Sequence, residues 1–205
     1  MSSVLDVAPV IPVVVLDDPT KAVPVARALV AGGLPIIELT LRTPSALESV
    51  RRIAAEVPEV LVGAGTIRSA RQAQRAAAAG AQFLVSPGST PALLAALDDT
   101  GLPYLPGTST VSEMLAVAEQ GHTAMKFFPA EAAGGAPYLA SLASPLPHLR
   151  FCPTGGITAA SAGSYLRLPN VGCVGGSWLT PADAVAAGDW ARITALAAEV
   201  ALVAV

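Results

Sequence analysis

One of the two lysines in this chain occupies a position where a charged side chain is unusual. Lys126 lies within an apolar run at residues 124–128 that reads as a buried strand, whereas Lys21 lies at the start of a helical pattern, where solvent reaches it. A lysine that is buried away from water tends to give up its proton. The uncharged amine is a nucleophile that can form a Schiff base with a carbonyl compound. A lysine that extends to solvent or pairs with a carboxylate is the alternative, but buried lysines are rare, so we favour the nucleophile.

A carboxylate lies within the second apolar run, residues 35–41, and a guanidinium follows directly after that run. The two-residue period of a strand puts Glu38 and Thr40 on one face, and Arg42 continues that face if the strand stays extended. If this face is the inner one, a single strand supplies an acid–base group and an anion-binding group to one cavity. A local ion pair between Glu38 and Arg42 explains the pattern equally well at this point.

Glycine pairs follow the last two apolar runs. Gly155-Gly156 comes after Thr154, and Gly175-Gly176 comes before Ser177. Glycine lets backbone N–H groups approach an anion closely, and the helix that begins afterwards adds its positive end. The two pairs together indicate a phosphate site, although tight turns without a ligand would have the same residues.

Eight apolar runs alternate with helical patterns along the chain. Near-continuous apolar strands are typical of a parallel sheet that is buried on both faces. Eight such units predict a (β/α)8 barrel, whose active site lies at the carboxyl ends of the strands. An open doubly wound sheet is the alternative, but it would more often carry a glycine-rich turn after the first strand, and residues 15–19 contain none. The runs are 7–16, 35–41, 61–66, 83–88, 103–107, 124–128, 150–156 and 171–177.

Capping residues predict where several helices begin. Thr20 is the expected N-cap of the first helix, and Pro44 is the expected first residue of the second. Ser69 is expected to cap the third helix, and Thr110 is expected to form a capping box with Glu113. A last helix is expected to open near Asp189 and to run towards Val205.

Composition limits the classes of function. The chain has 205 residues, 53% of them hydrophobic and 13% charged, and a net charge of -3. These values predict one domain over residues 1–205 and no nucleic-acid partner. No apolar run reaches the ~18–20 residues of a membrane span, and residues 1–6 lack the positive segment of a signal peptide. We therefore expect a cytoplasmic protein with no membrane partner. Cys152 and Cys173 are expected to be buried and reduced, without a disulfide.

The two histidines do not favour a metal site. His122 and His148 both fall in loops that run from a helix into a strand, which in a barrel lie at the end opposite the active site. A metal-dependent lyase or hydrolase would want imidazoles among its ligands. We expect no metal and no other cofactor.

Five stretches, covering nearly the whole chain and in the family's order, resemble motifs of the 2-keto-3-deoxy-6-phosphogluconate (KDPG) aldolases, which also act as 4-hydroxy-2-oxoglutarate (KHG) aldolases. The resemblance implies a (β/α)8 barrel, usually a homotrimer, and a metal-independent class I aldolase of the Entner–Doudoroff pathway. The stretches are Glu38-Leu39-Thr40-Leu41-Arg42-Thr43, Gly63-Ala64-Gly65-Thr66, Lys126-Phe127-Phe128-Pro129-Ala130-Glu131, Phe151-Cys152-Pro153-Thr154-Gly155-Gly156-Ile157 and Gly175-Gly176-Ser177-Trp178-Leu179.

The resemblance also implies roles for individual residues. Lys126 would form the Schiff base with a keto-acid phosphate, and Glu38 would be the general acid and base, with pyruvate and glyceraldehyde 3-phosphate as products. The remaining roles concern binding. Arg42 and Thr66 would hold the pyruvyl carboxylate, Pro87 would border the substrate, Thr154 would lie near the substrate hydroxyls, and the phosphate cradle would consist of Gly155, Gly156, Gly175, Gly176 and Ser177.

Two other functions remain compatible with the residues. In an isomerase or epimerase acting on a phosphosugar, Glu38 would be the base and Lys126 an electrostatic partner, because one barrel fold hosts many chemistries. Release of pyruvate by carbon–carbon cleavage distinguishes the aldolase from an isomerase or epimerase. A non-catalytic barrel that serves as a trimeric assembly unit is the other alternative, and the intact set of polar residues speaks against it.

Overall fold

The computed structural model describes residues 3–201, in which short strands and helices alternate. The ends of the expected domain 1–205 and the expected run of the last helix towards Val205 lie outside the described residues. The strands are β1 (Val10–Val14), β2 (Ile36–Thr40), β3 (Leu61–Gly65), β4 (Phe83–Val85), β5 (Tyr104–Leu105), β6 (Gly107–Thr108), β7 (Ala124–Phe127), β8 (Arg150–Pro153) and β9 (Val174–Gly176). The helices are α1 (Ala22–Ala31), α2 (Ala46–Glu56), α3 (Ala70–Ala78), α4 (Pro91–Asp98), α5 (Val111–Ala118), α6 (Gly135–Leu142), α7 (Ala159–Leu166), α8 (Ala182–Ala187) and α9 (Trp190–Ala201), and two 3-10 turns cover Val4–Asp6 and Pro19–Lys21.

The strands form a curled parallel sheet in two parts. One part has six strands in the order β5-β4-β3-β2-β1-β9, and the other has three in the order β6-β7-β8. Isolated parallel bridges join Phe151 to Val171 and Thr154 to Gly175, which connects β8 to the β9 side. The fold is therefore α/β with a parallel sheet, as the alternating pattern predicted.

The fifth apolar run, expected as one strand over residues 103–107, is divided into β5 and β6. Pro106 separates them because it has no N–H to donate to a neighbouring strand. Its carbonyl still accepts a hydrogen bond of 2.9 Å from the backbone N–H of Lys126. The chain thus continues past Pro106 and begins to pair with β7 at Gly107, opposite Lys126.

Successive strand residues face opposite sides of the sheet. On β2, Ile37 and Leu39 join the large core that packs the sheet against the helices. Ile36 faces the concave side and belongs to a second apolar cluster there, together with Phe83. The same alternation puts Glu38 and Thr40 on the concave side with Ile36. Every residue of β2 is buried, so polar atoms on this strand need partners within the fold.

The concave side has an apolar floor below the polar residues. Cys152 and Cys173 lie in this floor as free, buried thiols. The neighbouring Cys152 thiol and complete burial together raise the pKa of Cys173 well above its ordinary value, which keeps the thiol neutral. The floor consists of Val4, Leu5, Ile11, Ile36, Phe83, Val85, Leu105, Cys152 and Cys173.

Several predicted helix caps are confirmed, and one is wrong. Ser69 accepts from the N–H of Gln72, and Thr110 and Glu113 form the predicted capping box. Thr20 is not an N-cap. Asp18 accepts from the N–H of Thr20 instead, so a 3-10 turn precedes α1.

Helix α2 begins at Ala46, two residues later than the prediction that placed Pro44 at its first position. The hydroxyls of Thr43 and Ser45 both donate to the carbonyl of Leu16, at 2.5 and 2.6 Å. Ser45, which directly precedes the helix, makes no side-chain capping hydrogen bond. These bonds hold the loop after β2 against the end of β1, so residues 41–45 form a turn rather than a first helical turn.

The remaining comparisons with the sequence-based expectations concern the last two helices, the two histidine loops and the length of the helices. Helix α8 was not predicted, and it precedes α9, which opens at Trp190 as expected near Asp189. His122 and His148 lie in loops before β7 and β8, as predicted. None of the helices within residues 3–201 is both long and apolar enough to cross a membrane.

The capping box of α5 yields a stability prediction. Replacing Thr110 by Ala removes the side-chain oxygen that accepts from the N–H of Glu113. We expect the free energy of unfolding to fall by about 1 kcal/mol, the usual value for an N-cap. Urea denaturation measures it. Ser112→Ala, a hydroxyl deletion at an exposed position of the same helix, is the control and should change stability by less than ~0.5 kcal/mol. Equal effects of the two substitutions would contradict the capping role.

Candidate active site

The centre of the concave face is a lysine and a carboxylate from different strands. Lys126 on β7 and Glu38 on β2 have side chains that are each 4% exposed, and Lys126 Nζ lies 3.6 Å from Glu38 Oε1. The two-residue period of each strand turns both side chains inward. Glu38 therefore faces Lys126 across the sheet, and the local ion pair with Arg42 does not form among the described residues.

The lysine and the carboxylate are close to each other, but the hydrogen-bonding capacity of the carboxylate is not fully used. Glu38 Oε1 is buried and has no hydrogen-bond partner among the described residues. Lys126 Nζ lies 5.3 Å from the centre of the Phe128 ring, a favourable position for a cation. Two charges removed from water need further hydrogen bonds to offset their desolvation. A small polar molecule in contact with both groups would supply them.

Glycines on β3 provide the space that the Glu38 side chain occupies. A Cβ built on Gly65 would overlap Glu38 Oε1 and lie 2.5 Å from its Cδ. On the same strand, a Cβ on Gly63 would overlap the ring of Phe83. The Gly-Ala-Gly sequence of β3 thus lets a carboxylate and an aromatic ring fill the concave side from neighbouring strands.

Arg42 and Thr66 lie together beside this centre. The N–H of Arg42 donates to the carbonyl of Thr40 at 2.7 Å, so the chain turns here and β2 does not stay extended to Arg42. The Arg42 Nε donates to Thr66 Oγ1 at 3.4 Å. Thr66 has a φ of 61°, a left-handed conformation that few residues other than glycine adopt. Such local strain is common at functional sites.

A cavity of about 550 Å³ opens over the lysine. Its wall includes every predicted site residue except Glu38 and Gly176. Gly176 packs against the ring of Trp178, so its predicted place in the cradle is not at the cavity wall. The wall consists of Val13, Arg42, Thr66, Arg68, Pro87, Lys126, Phe128, Thr154, Gly155, Gly156, Ile157, Gly175 and Ser177.

The sequence profile of the family described as "Aldolase: KDPG and KHG aldolase" matches residues 1–196. The chain belongs to this family. It is 52% identical over 196 residues, which is 96% of this chain and 92% of the relative, to the 2-dehydro-3-deoxy-phosphogluconate aldolase of Dickeya dadantii.

Solved structures of family members have the same fold as this chain. The KDPG aldolase of Legionella pneumophila is 43% identical and superposes with a TM-score of 0.94 over 96% of both chains; it was crystallised with pyruvate captured as a covalent carbinolamine intermediate. The KDPG aldolase of Zymomonas mobilis with 3-phosphoglycerate is 47% identical, with a TM-score of 0.90 over 96% of this chain and 92% of the other.

Four residues of the cavity wall in this KDPG/KHG aldolase family member were not among the predicted site residues. Val13, Phe128 and Ile157 are apolar, and nothing in their sequence pattern separates them from core residues. Arg68 differs, because a charged residue two positions after the end-of-strand Thr66 follows the rule that polar residues at strand ends line the site. That spacing could have identified it.

The Gly155-Gly156 turn of the family motif has the backbone geometry that glycine permits. Its φ angles are 106° and 81°, both in the region that side chains disfavour. Among the described residues, no hydrogen bond from the N–H of Gly156 is found. Thr154, which precedes the turn, packs against Gly175 on the neighbouring strand, and the parallel bridge between them directs the Gly155 N–H towards the carbonyl of Gly175. The turn therefore offers the backbone donor of Gly156 at the cavity wall.

Because Glu38 fits closely beside β3, a side chain at position 65 should displace its carboxylate. Because a Cβ there would overlap the carboxylate, Gly65→Ala should move the Glu38 carboxylate away from Lys126 beyond 4 Å and lower the free energy of unfolding by about 1–3 kcal/mol. A crystal structure and urea denaturation of the variant measure the two effects.

The control for this prediction is Gly88→Ala. A Cβ on Gly88 would meet nothing within 4 Å, so the substitution should leave both the Glu38–Lys126 separation and the stability unchanged. If Gly65→Ala kept the 3.6 Å separation and full stability, the space requirement argued here would be wrong.

Proposed function

We propose that this protein is a class I aldolase in which Lys126 forms a Schiff base with a 2-keto acid. The substrate would be 2-keto-3-deoxy-6-phosphogluconate, cleaved to pyruvate and glyceraldehyde 3-phosphate. A second substrate would be 4-hydroxy-2-oxoglutarate, cleaved to pyruvate and glyoxylate. The observation that carries the proposal is the buried amine of Lys126 facing Glu38 at 3.6 Å below an open cavity. Membership of the family and the covalent pyruvate adduct of the Legionella relative support it.

The amine begins the reaction. Glu38 takes a proton from Lys126, and Nζ then adds to the C2 carbonyl to give a carbinolamine. The same proton goes to the carbinolamine hydroxyl, which leaves as water and gives a protonated Schiff base. The electrons of the C3–C4 bond then form a C2=C3 double bond while the C=N π electrons move onto nitrogen, which leaves a pyruvate enamine. The C4 carbon becomes the aldehyde carbonyl as its hydroxyl proton departs. Protonation of the enamine at C3 and hydrolysis release pyruvate and free Lys126.

Glu38 is the proposed acid and base for these proton transfers. Its Oε1 lies close to Lys126 and has no hydrogen-bond partner among the described residues, so it is free to accept a proton from the carbinolamine or the C4 hydroxyl. A general base must come within hydrogen-bond distance of the proton it removes, directly or through one water. The burial of Glu38 excludes bulk solvent from the transfer.

The anionic ends of the substrate have separate proposed binding groups. Arg42 and the Thr66 hydroxyl would hold the pyruvyl carboxylate, because a guanidinium matches two carboxylate oxygens. The Gly155-Gly156 turn, in which the N–H of Gly156 makes no hydrogen bond among the described residues, would bind the phosphate at the other side of the cavity. Neighbouring groups complete this arrangement: Pro87 borders the substrate, Thr154 lies near its hydroxyls, and Gly175 and Ser177 complete the cradle.

Proposals about architecture and assembly follow from the same family. The nine strand segments would act as eight strands of a closed (β/α)8 barrel, with β5 and β6 as one strand interrupted at Pro106. The bridge between Thr154 and Gly175 supports closure on the other side. A homotrimer in the cytoplasm is the assembly that the resemblance implies. Sedimentation equilibrium tests the trimer.

Trapping of the Schiff base is the test of the nucleophile. Incubation with pyruvate and sodium borohydride should reduce the imine and add one pyruvyl group to Lys126, which mass spectrometry of peptides locates. Lys126→Met should abolish both the labelling and the cleavage of 2-keto-3-deoxy-6-phosphogluconate, because an amine is required.

Lys21 provides the control for that experiment, because it is the other lysine of the chain. Its Nζ contacts the carbonyl of Ala186 at 3.5 Å and lies outside the cavity wall. Lys21→Met should be labelled on Lys126 like the unsubstituted protein. Cleavage that persists in Lys126→Met would exclude Lys126 as the nucleophile.

The role of Glu38 is tested with an isosteric amide. Glu38→Gln keeps the shape of the side chain but cannot accept a proton, so the cleavage rate should fall by roughly 10²–10⁴-fold, the usual contribution of a general acid–base group. A coupled lactate dehydrogenase assay for pyruvate measures the rate. Glu56→Gln changes an exposed carboxylate at the end of α2 and should leave the rate as it was. An unchanged rate in Glu38→Gln would remove this residue from proton transfer.

A further inference from the structure

One charged residue of the Lys126 motif remains without a role. Glu131 lies five residues after Lys126, in the loop that follows β7. The loop is tied to the Gly155-Gly156 turn by two backbone hydrogen bonds, from the N–H of Ala130 to the carbonyl of Thr154 at 2.8 Å and from the N–H of Glu131 to the carbonyl of Gly155 at 3.0 Å. The carbonyls of the turn are thus engaged by this loop, whereas the N–H groups are not.

The side chain of Glu131 packs against the same turn. A Cβ built on Gly156 would lie 2.8 Å from both Cβ and Cγ of Glu131, and one on Gly155 would lie 3.3 Å from the Phe128 ring. Side chains from the β7 loop therefore pack against both glycines. The shape of the turn depends on where Glu131 is held.

Tyr165 on α7 holds Glu131 in place. The Tyr165 side chain is 1% exposed, and its hydroxyl donates to Glu131 Oε1 at 2.7 Å. Burial and the Glu131 carboxylate raise the pKa of Tyr165, so the hydroxyl keeps the proton that it donates. A Cβ on Gly135, at the start of α6, would lie 3.4 Å from this hydroxyl and 3.7 Å from Glu131 Oε2. The pair thus joins the β7 loop, α6 and α7 behind the turn.

We propose that Glu131 and Tyr165 are a positioning pair that fixes the Gly155-Gly156 turn in the shape that binds the distal anionic group of the substrate. The inference rests on the proposed aldolase function of the cavity. Neither side chain lines the cavity, so the pair acts through the turn. Tyr165 also keeps the Glu131 carboxylate engaged, so that it does not compete with the substrate anion for the N–H of Gly156. Loss of the pair weakens phosphate binding and leaves the pyruvyl half of the site intact.

Three variants and a control test the pair. Tyr165→Phe removes one hydroxyl from a filled position, and Glu131→Ala removes the acceptor. Glu131→Gln keeps an oxygen that can accept from Tyr165 and should largely retain function. Tyr104→Phe is the control, because the Tyr104 hydroxyl donates to Asp98 at the same distance of 2.7 Å, away from the cavity. That hydroxyl also lies 2.6 Å from His122 Nε2, so the control removes a tyrosine–carboxylate bond and a histidine contact without touching the turn.

Three readouts separate the two halves of the site. Tyr165→Phe and Glu131→Ala should raise KM for 2-keto-3-deoxy-6-phosphogluconate about tenfold, the factor that the loss of one hydrogen bond to a charged group commonly produces. Calorimetric titration should show a similar loss of affinity for inorganic phosphate. Borohydride trapping of pyruvate, which has no distal anionic group, should proceed at the unsubstituted rate. Tyr104→Phe should change none of the three.

Several outcomes would overturn the positioning role. Unchanged KM and unchanged phosphate affinity in both Tyr165→Phe and Glu131→Ala would refute it directly. A parallel loss of pyruvate trapping would show that the pair supports the whole fold rather than the turn. Failure of the unsubstituted protein to trap pyruvate would sink the aldolase proposal instead, and the phosphate titration of the variants would still decide whether the pair shapes an anion site.

Discussion

The burial of a lysine beside a glutamate is the constraint on which the rest of this site depends. The side chains of Lys126 and Glu38 are each 4% exposed, and the lysine amine lies 3.6 Å from the carboxylate. Two opposite charges removed from water cost several kcal/mol each unless they are close and further hydrogen-bonded. The strands β2 and β7 must therefore keep a fixed separation, and the incomplete hydrogen bonding of Glu38 directs the pair towards a ligand rather than towards a purely structural ion pair.

The small residues of the sheet follow from that constraint. Gly65 leaves room for the carboxylate, and Gly175 leaves room for Thr154, since a Cβ at either position would overlap its neighbour. An interior filled with well-packed apolar side chains is often as stable as, or more stable than, one with a buried ion pair. The glycines, the left-handed Thr66 and the buried charges are instead grouped at one end of the sheet, above an apolar floor that contains Phe83 and Cys173.

Local sequence rules identified the main chemical groups but not the contacts that arrange them. The two-residue period of β2 predicted that Glu38 and Thr40 share a face, because strand alternation is a local property. Which face is the inner one depends on how the whole sheet curls. The late start of α2 was not predictable, since it depends on the distant carbonyl of Leu16. The partnership of Glu131 with Tyr165 likewise joins segments far apart in sequence.

The central claim is that the amine of Lys126 reacts covalently with a keto acid while Glu38 stays beside it. The most direct measurement is a crystal structure of this protein after soaking with pyruvate. The account predicts continuous electron density from Lys126 Nζ to C2 of pyruvate, with the carboxylate held by Arg42 and Thr66 and a Glu38 oxygen next to the adduct. Pyruvate bound elsewhere, or bound in the cavity with Lys126 turned away and unmodified, would contradict it.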